Sequence, residues 1–167
     1  RDAATLILVR DRLEGSYEVF LMRRHGEQSF MGGAFVFPGG RLNDADMDPE
    51  LAPCTGGFAG SDARGLLQEP GLSGEKALGL FLAAIRETFE EAGVLFARDA
   101  SGRLVDLADR ETAGRFTAFR SELNEEILTL AELARSERIR YAPDLLLPYA
   151  HWITPETEPR RFDTRFF

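Results

Sequence analysis

Residues 83–94 read AAIRETFEEAGV, and three carboxylates, Glu87, Glu90 and Glu91, fall within five positions of that stretch. Around them Leu78, Phe81, Leu82, Ile85 and Phe89 recur at steps of three and four. That period predicts an amphipathic helix over residues 75–92, closed by Gly93 as its C-cap. On such a helix Glu87 lies beside both Glu90 and Glu91, and like charges so placed repel by a few tenths of a kcal/mol per pair. They also gather near the C-terminus, where the helix dipole disfavours anions. A divalent hard cation with oxygen ligands relieves both, and Mg2+ or Mn2+ suits such a donor set. A solvated acidic helix face has the same spacing, so the carboxylates alone do not decide between the two.

Working outward, residues 3–10 (AATLILVR) and 17–23 (YEVFLMR) read as two strands joined through a turn containing Gly15, a β-hairpin. A loop over residues 24–33 leads to a short strand at 34–37, which Pro38-Gly39-Gly40 is expected to stop sharply. Residues 43–74 show no clear period and carry Asp44, Asp46, Asp48, Glu50 and the breakers Pro49, Pro53 and Pro70. They read as a long irregular excursion, and irregular segments of that length inside a domain are usually functional. A strand is expected at 94–96 and helices at 106–119 and 121–136, with Ser121 opening the second. Residues 149–153 and 161–167 read as extended.

The 167 residues fit one domain, 44% hydrophobic and 29% charged. Nothing approaches the ~18 consecutive apolar residues of a membrane span, and no leader peptide is expected, the sequence as read opening on a strand-like segment. Cys54 is the only cysteine, which excludes an internal disulfide and suits a reducing compartment. The expectation is an intracellular, cytoplasmic chain. A net charge of −8 argues against nucleic-acid polymers and anionic membranes as partners. A small anionic substrate stays open, since a metal ion and a few arginines reverse the field locally. Lys76 is the only lysine among 20 basic residues. Arginine's fork suits phosphate, although a compositional bias is the simpler account of the excess.

Arg86, Glu87, Glu90, Glu91, Gly93 and Val94 all fall on the second half of the pattern G-x5-E-x7-R-E-U-x-E-E-x-G-U, where U is apolar and Thr88 is a soft mismatch. FPGG at 37–40 resembles the strand end and turn that open the same loop–helix–loop. On these residues the chain resembles the Nudix hydrolase superfamily. Counted back from Arg86, however, Leu78 stands where the box carries glutamate and Leu72 where it carries glycine. Glu75, one turn earlier, is the candidate replacement. An insertion over about 43–74 therefore interrupts the box, as in the coenzyme A diphosphatase subgroup. The later segments HWITP (151–155) and PRRFDTRFF (159–167) resemble that subgroup too.

The resemblance implies an α/β Nudix fold over residues 1–167, a mixed curved β-sheet sandwiched between helices. Family members carry a further strand and helix, so the C-terminal end is expected to be incomplete. It also implies metal-dependent water attack on phosphorus in a nucleoside-diphosphate-linked substrate, with coenzyme A or acyl-CoA as the subgroup's substrate. Glu87, Glu91 and Glu90 would hold Mg2+ or Mn2+, aided by the Gly40 carbonyl, and Arg86 would orient the glutamates. Arg23, Arg24 and Arg41 are candidates for phosphate contacts, with plain surface solubility an equal alternative. His25 reads as an exposed loop residue and His151 as structural; Phe30, Phe35 and Phe37 read as core rather than as a base-stacking surface. Cys54 lacks a histidine partner in any nucleophile motif. Other Nudix substrates (ADP-ribose, a dinucleotide or a nucleoside triphosphate) and a non-catalytic nucleotide- or partner-binding module stay open, as does a homodimer.

Overall fold

The computed structural model describes residues 1–13, 15–23 and 33–167. Strand β1 is Asp2–Thr5, β2 Val9–Asp11, β3 Tyr17–Val19, β4 Met22–Arg23, β5 Phe35–Val36 and β6 Gly39–Arg41. Two 3-10 helices, η1 (Asp44–Met47) and η2 (Pro49–Thr55), lead to helix α1 (Gly60–Leu67) and the long helix α2 (Gly74–Ala92). Then come β7 (Ala97–Arg98), α3 (Arg110–Asn124), α4 (Leu130–Glu137), β8 (Arg140–Tyr141), η3 (Pro143–Leu145), β9 (Ala150–Ile153) and β10 (Asp163–Phe166).

The main sheet is mixed, in the order β6-β1-β10-β9, with β1 parallel to β10 and the other two pairings antiparallel. One cross-strand row runs Gly40–Ala4–Arg165–His151. Residues of one row share a face of the sheet, and α2 packs on β1 and β6. The hairpin expected from residues 3–10 and 17–23 is confined to β2–β3, in register Val9 with Val19, with Gly15 at φ 72° in its turn; the first stretch divides between β1 and β2 and the second between β3 and β4. Smaller two-stranded pairings are β4–β5 and β7–β8.

Helix α2 is more deeply buried than a single stripe implies. From Ala77 to Arg86 every residue is buried, Gly79 included. Ser73 caps its start, accepting from Lys76 N at 3.1 Å, and Gly93 ends it at φ 70°. Phe81 holds three parts of the chain together, its ring centroid 5.3 Å from Phe58 of the insertion and 4.5 Å from the last residue, Phe167. Burying each such side chain contributes roughly 1.5–3 kcal/mol.

Several expectations need correction. Residues 43–74 are not an irregular excursion. They form η1, η2 and α1; η2 packs on α4 and β8, while η1 and α1 pack on α2, so tightly that a Cβ on Gly79 would lie 2.7 Å from Met47 Cγ of η1. The pattern hid this because the helices are short and α1 buries only Ala63. Pro38 does not stop the extended chain but moves it between sheets: β5 pairs with β4, and after Pro38 strand β6 pairs with β1. Proline has no N–H for a continuing ladder, while its carbonyl accepts from Leu6 N at 2.9 Å. The strand expected at 94–96 starts only at Ala97. Ser121 lies inside α3, and the break comes after Asn124, with Glu126 at φ 57° and Thr129 capping α4 through Glu132. Phe35 is exposed rather than core. His25 and Phe30 lie outside the described residues.

Candidate active site at the end of helix α2

The last turns of α2 bring the charged segment against β6 and η1. Arg86 is buried and makes a two-pronged ion pair with Asp46, Nε to Oδ1 at 2.7 Å and Nη2 to Oδ2 at 2.9 Å. Its Nη1 donates to Glu87 Oε1 and to Glu90 Oε2, both at 2.9 Å, and Nη2 also reaches the Arg41 carbonyl at 3.0 Å. One guanidinium thus orients three carboxylates, the use for which arginine's rigid fork is suited. Glu91 turns to the neighbouring strand, accepting from Gly39 N at 2.9 Å.

Glycine at position 40 is a packing requirement: a Cβ there would fall on the Glu87 carboxylate. The Gly40 carbonyl is partly engaged already. Leu42 N bonds to Asp2 O and Leu6 N to Pro38 O, and in an antiparallel ladder bonded pairs alternate. The intervening pair, Ala4 and Gly40, is therefore bonded as well, leaving the carbonyl's second lone pair for any ion.

The electrostatics are unbalanced. Burial pushes the Glu87 carboxyl above its ordinary range despite the opposing pull of Arg86, and the negative charge of Asp46 adds to the rise while Arg41 lowers it. Glu90 is likewise raised by burial, against Arg86 and with Glu87. For Arg86, burial favours the neutral form, but the bonds and charge of Asp46 outweigh it and hold the guanidinium firmly protonated. Three carboxylates on one guanidinium leave an excess of negative charge where solvent is scarce. An all-oxygen donor set in that condition fits a hard divalent cation, although among the described residues no three acidic or histidine side chains already converge as a ready-made ion site.

Asp46 is the residue the sequence reading missed. It is 1% exposed and occupies the place sought at Leu78 and Glu75. Counted forward from Gly40 rather than back from Arg86, the box's G-x5-E falls on Gly40 and Asp46. The first half of the box is intact, with aspartate for glutamate, and the spacer before Arg86 is stretched over positions 47–85. Leu78 is leucine because it is 8% exposed and faces the insertion, lining a cavity of about 300 Å³ with Met47, Leu51 and Leu82. Glu75, in the first turn of α2, is twelve positions from Glu87, about 18 Å along the axis.

The other candidates separate. Arg41 borders the site and its charge reaches Glu87. Arg23 is exposed at the end of β4, and among the described residues no contact joins it to the carboxylates; Arg24 lies outside the described residues. His151 bonds Asp163 and lies 3.8 Å from Glu69, away from the box. Cys54 is buried, its thiol pushed up by burial and directed at the Glu50 carbonyl at 3.4 Å. No helix among the described residues is long and apolar enough to cross a membrane.

Comparison with known proteins identifies the family. The chain is 32% identical over 184 residues to acyl-coenzyme A diphosphatase NUDT19 of Gallus gallus, covering 90% of this chain and 47% of that protein. It is 26% identical over 177 residues to the Xenopus laevis protein of the same name, covering 90% and 46%. It thus spans a little under half the length of these curated relatives. A crystal structure of a Nudix hydrolase from Alicyclobacillus acidocaldarius superposes with a TM-score of 0.68 at 29% identity, over 99% of this chain and 67% of that one. The NUDT19 Nudix domain family model matches residues 1–167 from end to end. The chain therefore belongs to the NUDT19 Nudix domain family.

Proposed function

We propose that this domain hydrolyses the diphosphate linkage of a small nucleoside-diphosphate-linked molecule, coenzyme A or an acyl-CoA, by water attack on phosphorus. The observation that carries the reading is the excess of buried carboxylate around Arg86, with Glu87 and Glu90 raised by burial and Glu87 seated against the bare Cα of Gly40. Glu87, Glu91 and Glu90 would hold Mg2+ or Mn2+, with the Gly40 carbonyl as a further donor. When bound, such an ion neutralises phosphoryl oxygens and lowers the pKa of bound water. Arg86 fixes the directions of Glu87 and Glu90, and Asp46 fixes Arg86. Arg41 supplies positive charge at the rim for an anionic substrate. The choice of coenzyme A follows from the names of the relatives; a homodimer is compatible with the reading but not required by it.

A non-catalytic binding module has one observation in its favour, that Glu87 and Glu90 are both already engaged by Arg86. One experiment separates the readings. The protein is incubated with Mg2+ and a panel of coenzyme A, acyl-CoA, ADP-ribose, a dinucleotide and a nucleoside triphosphate, beside the Glu91→Gln variant. Turnover of coenzyme A or acyl-CoA that falls at least about 100-fold in the variant is expected. Turnover of another compound only would sink the substrate, an unchanged rate in Glu91→Gln would reject the metal site, and no turnover at all would favour the binding module.

A further inference from the structure

Helix α2 ends where its carboxylates gather, so the backbone of its last turn decides where Glu90 and Glu91 point. The final carbonyls of a helix have no partner within it. Here Gly93 N takes the Phe89 carbonyl at 2.9 Å. The next two are taken from outside, by a residue some thirty positions later on α3. Arg120 Nε donates to the Glu90 carbonyl at 2.7 Å, and Nη2 donates to the Glu91 carbonyl at 2.8 Å.

We infer that Arg120 is a positioning residue for this site: it locks the last turn of α2 so that Glu90 and Glu91 keep their carboxylates directed at Arg86 and Gly39. The inference rests on the proposed metal-dependent reading and adds a residue outside the box to it. Three features carry it. The two carbonyls held by the one guanidinium belong to two of the candidate metal ligands. A cation at this end opposes both the helix dipole and the clustered carboxylates, which would otherwise fray the turn. The approach is also built in from the α2 side, because a Cβ on Gly93 would stand 3.3 Å from Arg120 Nη1, and α3 is held in place by the edge-on packing of Phe116 against Phe89. Lysine cannot replace this arrangement, since its single ammonium lacks the spaced pair of donors that spans adjacent carbonyls.

The test uses Arg120→Met, which keeps an apolar stem, and Arg120→Lys, which keeps the charge. Mn2+ affinity is measured by electron paramagnetic resonance, and backbone amide hydrogen exchange is followed over the end of α2 with no metal present. Loss of a group that orients ligands typically lowers metal affinity by about 10–100-fold. Arg120→Met is expected to bind Mn2+ at least about tenfold more weakly and to exchange faster at the end of α2. Arg120→Lys is expected to recover only part of the affinity while melting close to the wild type. If Arg120→Met folds and binds Mn2+ as the wild type does, or if Arg120→Lys restores affinity in full, the positioning role is overturned. A wild type that neither binds Mn2+ nor hydrolyses any diphosphate would instead overturn the underlying reading, and the inference with it.

Discussion

Arg86 and Arg165 are both nearly sealed from solvent, their side chains 10% and 5% exposed, and each meets three carboxylates. Arg86 meets Asp46, Glu87 and Glu90. Arg165 meets Glu69, Asp2 and Asp163, the contacts to Glu69 and Asp2 at 2.6 and 2.8 Å. The two sites lie on one cross-strand row, since Arg165 is two strands from Gly40, roughly 10 Å by strand spacing. The net shifts of their acids are opposite, although each arginine pulls its acids down. Arg165 pulls Glu69 below its ordinary range through its hydrogen bond. Asp2, though raised by burial, ends lowered because Lys76 and Arg165 outweigh it. Around Arg86, burial wins and Glu87 and Glu90 are raised. The Arg165 acids keep partial contact with water and gain further help from Lys76 and His151, so that cluster is satisfied and fastens the insertion to the sheet. The Arg86 cluster is left short of positive charge, the imbalance on which the proposed cation site rests.

The largest expected difference comes from removing each arginine. Arg86→Met strands Asp46, 1% exposed, and breaking a buried pair from one side costs about 3–5 kcal/mol. Arg165→Met strands acids with side chains 24–34% exposed, where water screens the loss, and about 1–2 kcal/mol is expected. Urea unfolding of both variants measures this. Equal losses, or a larger one for Arg165→Met, would mean that the two clusters are not the different objects described above.

A cation should act on one cluster only. Mn2+ at a hundredfold excess over its Kd is expected to stabilise the domain by about 2.7 kcal/mol, a rise of roughly 5–10 °C for a domain of this size. Arg165→Met should show the same rise from its lower starting point, and Glu91→Gln should lose it. Thermal melts with and without Mn2+ decide the matter. A rise that survives in Glu91→Gln places the ion elsewhere.

The sequence makes the Arg86 cluster half visible and the Arg165 cluster invisible, for different physical reasons. Glu87, Glu90 and Glu91 are local, and helical spacing brings them together whatever the rest of the chain does. Asp46 was within reach by counting forward from Gly40, but the inserted helices displaced it from Arg86 in sequence, and counting back landed on Leu78. Arg165 joins Glu69 and Asp2 across 96 and 163 positions, a proximity that only the sheet order creates. The helix α2 and its C-cap were legible because Gly93 and the apolar period agree, whereas Ser73 at its start emerged only from the structure. Short elements were not. η1, η2 and α1 each lack enough turns to show a period, and Ser121 mimics a cap inside α3 where tertiary packing carries the helix through.

The smallest effect is also the most direct test of the opposite signs. Glu87 and Glu90 have folded pKa values above the ordinary 4.5, so the native state binds more protons than the unfolded chain in that window. Their contribution is complete below about pH 4.5 and is lost as pH rises through the raised values. Glu69 is lowered from 4.5, so its contribution is present above that value and is lost as pH falls through its folded pKa. Glu90→Gln removes one charge from the crowded end while leaving an acceptor for Arg86. In the absence of metal it should be more stable than the wild type at pH 7 by about 0.5–1 kcal/mol, the gap closing as pH falls toward 4.5. Added Mn2+ should reverse the order, because only the wild type keeps its full ligand set. Urea unfolding at a series of pH values reads all three effects. A Glu90→Gln protein that is less stable than the wild type at pH 7 without metal would show that Arg86 satisfies its acids as fully as Arg165 does.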